Sequence, residues 1–172
     1  MIPKIKKILY ASDLSTNSLY AFRYAVNSAE SHKAKLIILH VFEQLSTNIA
    51  SLASAYLSPE QRDKLLNEKF EYTLEQIKGR LKTFCDRELK NEPELMELID
   101  AIEVKEGFAA EEILQTAEKL GCDAIVMGSH GKGILHNTFL GSTSKQVLRR
   151  SRLPVFIIPI PKGEIDVSVQ DD

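Results

Sequence analysis

Cysteine is nearly absent: Cys85 and Cys122 are the two in 172 residues. They fall in segments that read as helix and strand, with no Cys-x-x-Cys spacing. A disulfide framework is therefore not expected, and a reducing compartment suits the chain. Long apolar runs are missing as well. No window nears the roughly 18 uninterrupted apolar residues of a membrane span. The opening Met-Ile-Pro-Lys-Ile-Lys-Lys-Ile-Leu-Tyr imitates the basic start of a signal peptide. Ser12 and Asp13 break the apolar stretch that has to follow, so a cytoplasmic protein is expected.

An excess of one charge is also lacking. Twenty-two Lys and Arg face 24 Asp and Glu, a formal charge of −2. A nucleic-acid coat would carry a basic excess, so nucleic acid is not expected as a partner. One local basic patch stays compatible with that balance. Internal repeats and low-complexity segments do not occur. With 44% hydrophobic and 27% charged residues, the composition is that of a soluble globular chain. The length fits one domain, expected over residues 1–160, with a polar tail over 161–172.

What is present is an alternation of strand-like and helix-like segments. Ile5, Ile8, Leu9, Tyr10 and Ala11 form a short apolar run ending at Ser12-Asp13, expected as a buried strand. Ala21, Phe22, Ala25, Val26 and Ala29 share one face of a helix over about 15–31, capped by Ser15 or Thr16. The run 36–42 is apolar almost throughout, the mark of a central parallel strand covered on both faces. Residues 43–58 read as loop. A long helix then starts at Pro59, with Phe70, Leu74, Ile77, Leu81 and Phe84 as its stripe, and ends before Pro93. Further strands are expected around 99–105, 123–127 and 154–159. The helices between them carry Ile113, Leu114 and Ala117, closed by Gly121, and then Val147 and Leu148. Such an order implies a parallel α/β sheet with right-handed crossovers.

In such sheets, ligands bind beyond the carboxyl ends of the strands, where strand order reverses. The end of the fourth strand carries Gly128-Ser129-His130-Gly131-Lys132-Gly133, and Gly141-Ser142-Thr143 opens a helix. Glycines let backbone N–H groups approach an anion, and a helix N-terminus favours negative charge. Ser142 and Thr143 add hydroxyl donors, while His130, Lys132 and Lys145 add charge. This pattern points to a phosphate site. It is neither a Walker A loop nor Gly-x-Gly-x-x-Gly, because the glycine intervals differ and Lys132 precedes no Ser or Thr.

The spacing Gly128-x2-Gly131-x9-Gly141-Ser142 resembles the nucleotide-binding signature of the universal stress protein family, in its ATP-binding branch. The resemblance extends over roughly residues 4–160 and is weakest over 43–64. It implies a five-stranded parallel sheet of order 3-2-1-4-5 with helices on both faces, the adenine nucleotide alpha-hydrolase-like fold. It implies ATP, AMP or ADP as ligand. The backbone at Val41 would meet the adenine edge, with Ala11 and Ser12 lining the same pocket and Met127 near base and sugar. Asp13 would bond the ribose or reach a phosphate-bound Mg2+. Gly128, Ser129, Gly131, Gly141, Ser142 and Thr143 would hold the phosphates. It also implies a homodimer, built here by antiparallel contact of the apolar 154–159 edge strands, that passes a nucleotide signal to a protein partner in a stress response.

Two other functions fit the residues. A slow ATPase or phosphotransferase would use Asp13, His130 and Lys132, with Glu43 recruited if its loop folds back. A nucleotide-free interaction module would leave the glycines without a role. His130 and His136 alone do not make a zinc site, since no Cys or third His lies near them. His40 reads as a hydrogen-bonded core residue. Arg149, Arg150 and Arg152 suit the dipole near a helix C-terminus, and Arg149 and Arg150 are also expected, with Lys132 and Lys145, to make the phosphate end locally basic.

Overall fold

The computed structural model describes residues 2–42, 56–131 and 140–159. Five parallel strands form one sheet: β1 (Lys7–Ser12), β2 (Lys35–Phe42), β3 (Ile99–Glu106), β4 (Ala124–Gly128) and β5 (Val155–Ile158). Their order across the sheet is β3-β2-β1-β4-β5, as the family resemblance implied. Leu9 pairs with Ile37 on one side and with Ile125 on the other. The crossovers leave β1 and β4 in opposite senses, so the switch point lies between them.

Alternation along each strand builds two cores. Ile8, Tyr10, Leu36, Ile38 and Val126 face α1 (Thr16–His32) and α2 (Pro59–Glu88), meeting Phe22, Ala25, Leu81 and Phe84. Leu9, Ala11, Ile37, Leu39, Ile125 and Met127 face α3 (Ala109–Lys119) and α4 (Ser142–Arg150), meeting Ile113, Ala117 and Val147. This two-sided burial makes the central strands apolar at nearly every position.

Caps fix where the helices begin. Ser15 caps α1, accepting the Ser18 N–H, and Ser58 with Gln61 forms a reciprocal capping box ahead of Pro59. Gly121, at φ 63°, ends α3 in the left-handed conformation that favours glycine. Three expectations shift. Cys122 lies in the turn before β4, not in a strand. The stripe of α2 is buried at Leu81 and Phe84, while Phe70, Leu74 and Ile77 are half-buried. Asp123 sits outside β4, where its Oδ2 accepts from the N–H groups of Lys6 and Lys7 at 2.8 and 3.0 Å. Both cysteines are free and buried. The 161–172 tail lies outside the described residues.

Candidate functional site

The carboxyl ends of β1, β2 and β4 open into a cavity of about 700 Å³, within the usual range of small-molecule sites, roughly 300–1,000 Å³. It is built first by the turn after β1. Leu14 takes φ 61°, a left-handed conformation costing a non-glycine residue about 1–2 kcal/mol. Hydrogen bonds hold it there. The Leu14 N–H donates to Ser12 Oγ at 3.1 Å, and Asp13 Oδ1 accepts from the Ser15 N–H at 3.0 Å and from Ser15 Oγ at 2.6 Å. Ser18 Oγ donates to the Ser15 carbonyl, which leaves Ser12 Oγ to donate to Ser18 Oγ at 3.2 Å. Asp13 is thus a helix-organising residue and a cleft-lining one together.

The end of β4 passes close to these groups. A Cβ on Gly128 would lie 3.3 Å from the His130 carbonyl and 3.5 Å from that of Asn17. One on Gly131 would collide with Asp13 Oδ2 and lie 3.3 Å from Asp13 Cγ. One on Gly141 would lie 3.4 Å from His130 Cα. Gly131 leaves no space for a side chain beside the carboxylate. The loop is stapled to α4: the Gly141 N–H donates to the Ser129 carbonyl at 2.8 Å, and Ser144 Oγ to the Gly128 carbonyl at 3.0 Å.

Helix α4 therefore points its N-terminus into the cleft. No side chain caps it, and its first turn contains no acid. Ser142 and Thr143 line the cavity there, with Lys145 one turn further in. The first-turn N–H groups and the dipole favour negative charge at this end. The opposite side of the cavity is apolar, with Ala11, Leu39, Val41, Ile113 and Met127. One half suits a flat apolar group and the other a string of negative charge.

Of the residues singled out from sequence, Ala11, Ser12, Asp13, Val41, Met127, Gly128, His130, Gly131, Gly141, Ser142 and Thr143 line this cavity. Ser129 does not. It is buried, its N–H donates to the Ile158 carbonyl, and its Oγ bonds His130 Nδ1 at 3.1 Å. Lys132, Glu43 and His136 lie outside the described residues. Arg149 and Arg150 stand near the helix C-terminus as one reading had them, but they do not make the cleft basic: neither lines the cavity, and Arg150 instead faces Glu111 of α3 at 3.8 Å. They occupy the last turn of α4, the end away from the cleft.

His40 lines the cavity yet is 6% exposed. Its Nδ1 lies 2.7 Å from the Ser12 carbonyl. A carbonyl only accepts, so Nδ1 carries the proton and the ring is fixed against β1. Sequence reasoning missed Ala109 and Ile113 as lining residues. Their signal was the apolar stripe of α3, whose first turn crosses the end of β2 on its way from β3 to β4.

The match to known proteins agrees with this arrangement. The universal stress protein family model covers residues 4–159. The chain belongs to the universal stress protein family. Universal stress protein MJ0577 of Methanocaldococcus jannaschii is 33% identical over 161 residues, covering 89% of this chain and 94% of that protein. YxiE of Bacillus subtilis is 32% identical, covering 88% and 97%. The solved structure of MJ0577 superposes with a TM-score of 0.67 at 27% identity, covering 94% of this chain and all of that one. A universal stress protein solved in complex with cAMP has a TM-score of 0.53, covering 91% and 98%, and at 21% identity it shares the fold alone.

Proposed function

We propose that this universal stress protein binds an adenine nucleotide, ATP or its AMP and ADP relatives, in the cleft at the ends of β1, β2 and β4. The observation that carries the reading is the uncapped, acid-free N-terminus of α4 opening into a cavity whose other half is apolar. Backbone N–H groups at Ser142 and Thr143 would take the phosphates, and Gly128, Gly131 and Gly141 would let them come close. The backbone of Val41, with Ala11 and Met127, would hold the base. Ser12 and Asp13 would meet the sugar, while His130 and Lys132 would add charge. Ser129 would act by tying the phosphate loop to β5.

Mg2+ fits only as a companion of the phosphates. Among the described residues no group of three or more His, Cys, Asp or Glu could hold a metal. Asp13 offers one carboxylate, and Mg2+ is commonly held by one or two carboxylates plus substrate phosphates. The protein would act as a cytoplasmic sensor, the nucleotide favouring whichever conformation or partner surface it binds better. The edge strand β5, with Phe156 exposed to 40%, supports a homodimer through 154–159.

Mass spectrometry of the nucleotide retained through purification tests this reading. An adenine nucleotide in the native protein, lost from Gly131→Val, is expected. A nucleotide-free protein that also fails to take up ATP, AMP or cAMP contradicts it.

A further inference from the structure

The end of the sheet opposite the cleft carries a charge pattern that nucleotide binding does not use. The Lys35 N–H donates to the Lys6 carbonyl and the Asp123 N–H to the Lys7 carbonyl, so the starts of β1, β2 and β4 lie side by side there. A groove of about 540 Å³ runs along this edge, lined by Pro3, Lys4, Ile5, Lys6, His32 and Lys33. All four cationic or titratable side chains in it are exposed. Among the described residues, Lys4, Lys6 and Lys33 form no ion pair. The acids of the same segments are Glu30, which is exposed, and Asp123, whose Oδ2 already accepts two backbone N–H groups.

Lys33 stands out within this groove. It takes φ 54° at the end of α1, where glycine is the usual residue. A cation near a helix C-terminus is favourable in itself, which accounts for Lys33 or His32. It does not account for Lys4 and Lys6, which arrive from another segment and converge on the same groove. Ile2, two residues before Lys4 in the chain, is 88% exposed.

We infer that this edge is a docking surface for an anionic lipid bilayer. Lysines act as point charges toward headgroup phosphates and carboxylates, and an exposed aliphatic beside them enters the interfacial layer. The lining has no arginine fork and no Phe, Tyr or Trp on which bases stack, so a lipid surface suits it better than nucleic acid. Docked this way, the cleft at the opposite end of the sheet stays open to its ligand.

The test is co-sedimentation of the full chain with phosphatidylcholine vesicles containing roughly one third phosphatidylserine, against phosphatidylcholine alone. Binding to the anionic vesicles only is expected, weakening as salt rises from about 0.05 to 0.5 M. Lys4→Gln, Lys6→Gln and Lys33→Gln should each reduce partitioning about fivefold, and together about 100-fold. Ile2→Ser should reduce it several-fold. Nucleotide affinity should stay at the wild-type value, since none of these residues lines the cleft, and melting temperature should fall only in variants carrying Lys33→Gln, by about 1–3 °C, as α1 loses a cation at its C-terminus. Equal binding to neutral vesicles, no binding at low salt, or a triple variant that partitions like wild type would overturn the inference. So would tighter binding to a single-stranded oligonucleotide than to the vesicles.

Discussion

Asp13 and Gly131 are fitted to each other: the Asp13 carboxylate occupies the space in which any side chain at 131 would have to begin. The other carboxylate oxygen is held by the Ser15 N–H and hydroxyl, so Asp13 cannot step aside without releasing the start of α1. A change at 131 is therefore felt on both sides of the cleft.

Gly131→Ala should displace Asp13 and weaken nucleotide binding at least about tenfold, or about 1.4 kcal/mol. Gly79→Ala, where a Cβ meets nothing within 4 Å, should leave affinity unchanged. Calorimetric titration of both variants checks the contrast.

Ser15→Ala removes the cap of α1 and one of the two donors to Asp13. Loss of such a cap typically costs about 1 kcal/mol, or about 2–4 °C in melting temperature at this size. Nucleotide binding should weaken too, because Asp13 loses its anchor. Thermal unfolding with and without ligand reads both effects.

The sequence pattern revealed the fold because two-sided burial writes itself plainly. Ile8 and Tyr10 belong to one core and Leu9 and Ala11 to the other, so β1 reads as a continuous apolar run. The cleft was legible where a residue type has one strong reason, as at Gly131 or at the Gly141-Ser142 start of α4. Dual roles were harder to see. Ile113 packs in a core and also lines the cavity, and nothing in its spacing separates the two. Arg149 and Arg150 are close to Lys145 in sequence, but they occupy the last turn of a nine-residue helix about 13 Å long, at the end away from the cleft. The convergence of Lys4 and Lys6 with Lys33 depends on the pairing of β1 with β2, which no local pattern records.

The two thiols should be inert in the native protein. Burial pushes Cys85 up to about 12 and Cys122 up to about 11, from 9.0. Between pH 9 and those values the folded chain holds protons that the unfolded chain has released, so stability falls as pH rises. Below pH 9 the thiols contribute no slope. Unfolding with denaturant at pH 8, 9.5 and 10.5, together with thiol labelling before and after unfolding, checks the window. Rapid labelling of the native protein at pH 8 would contradict it.

Phe156→Glu places a charge on the exposed face of β5. If the homodimer forms through 154–159, light scattering should fall from twice 19.3 kDa to that single mass, with nucleotide binding retained. A dimer that survives the substitution removes β5 from the interface.

The most direct measurement of the account is calorimetric titration of the nucleotide-free protein with ATP, with and without Mg2+, beside Asp13→Ala. One site per chain is predicted, with affinity raised by Mg2+ in the wild type and indifferent to Mg2+ in Asp13→Ala. Absence of heat at millimolar ATP, or binding untouched by both Gly131→Val and Asp13→Ala, would contradict the assignment of the cleft.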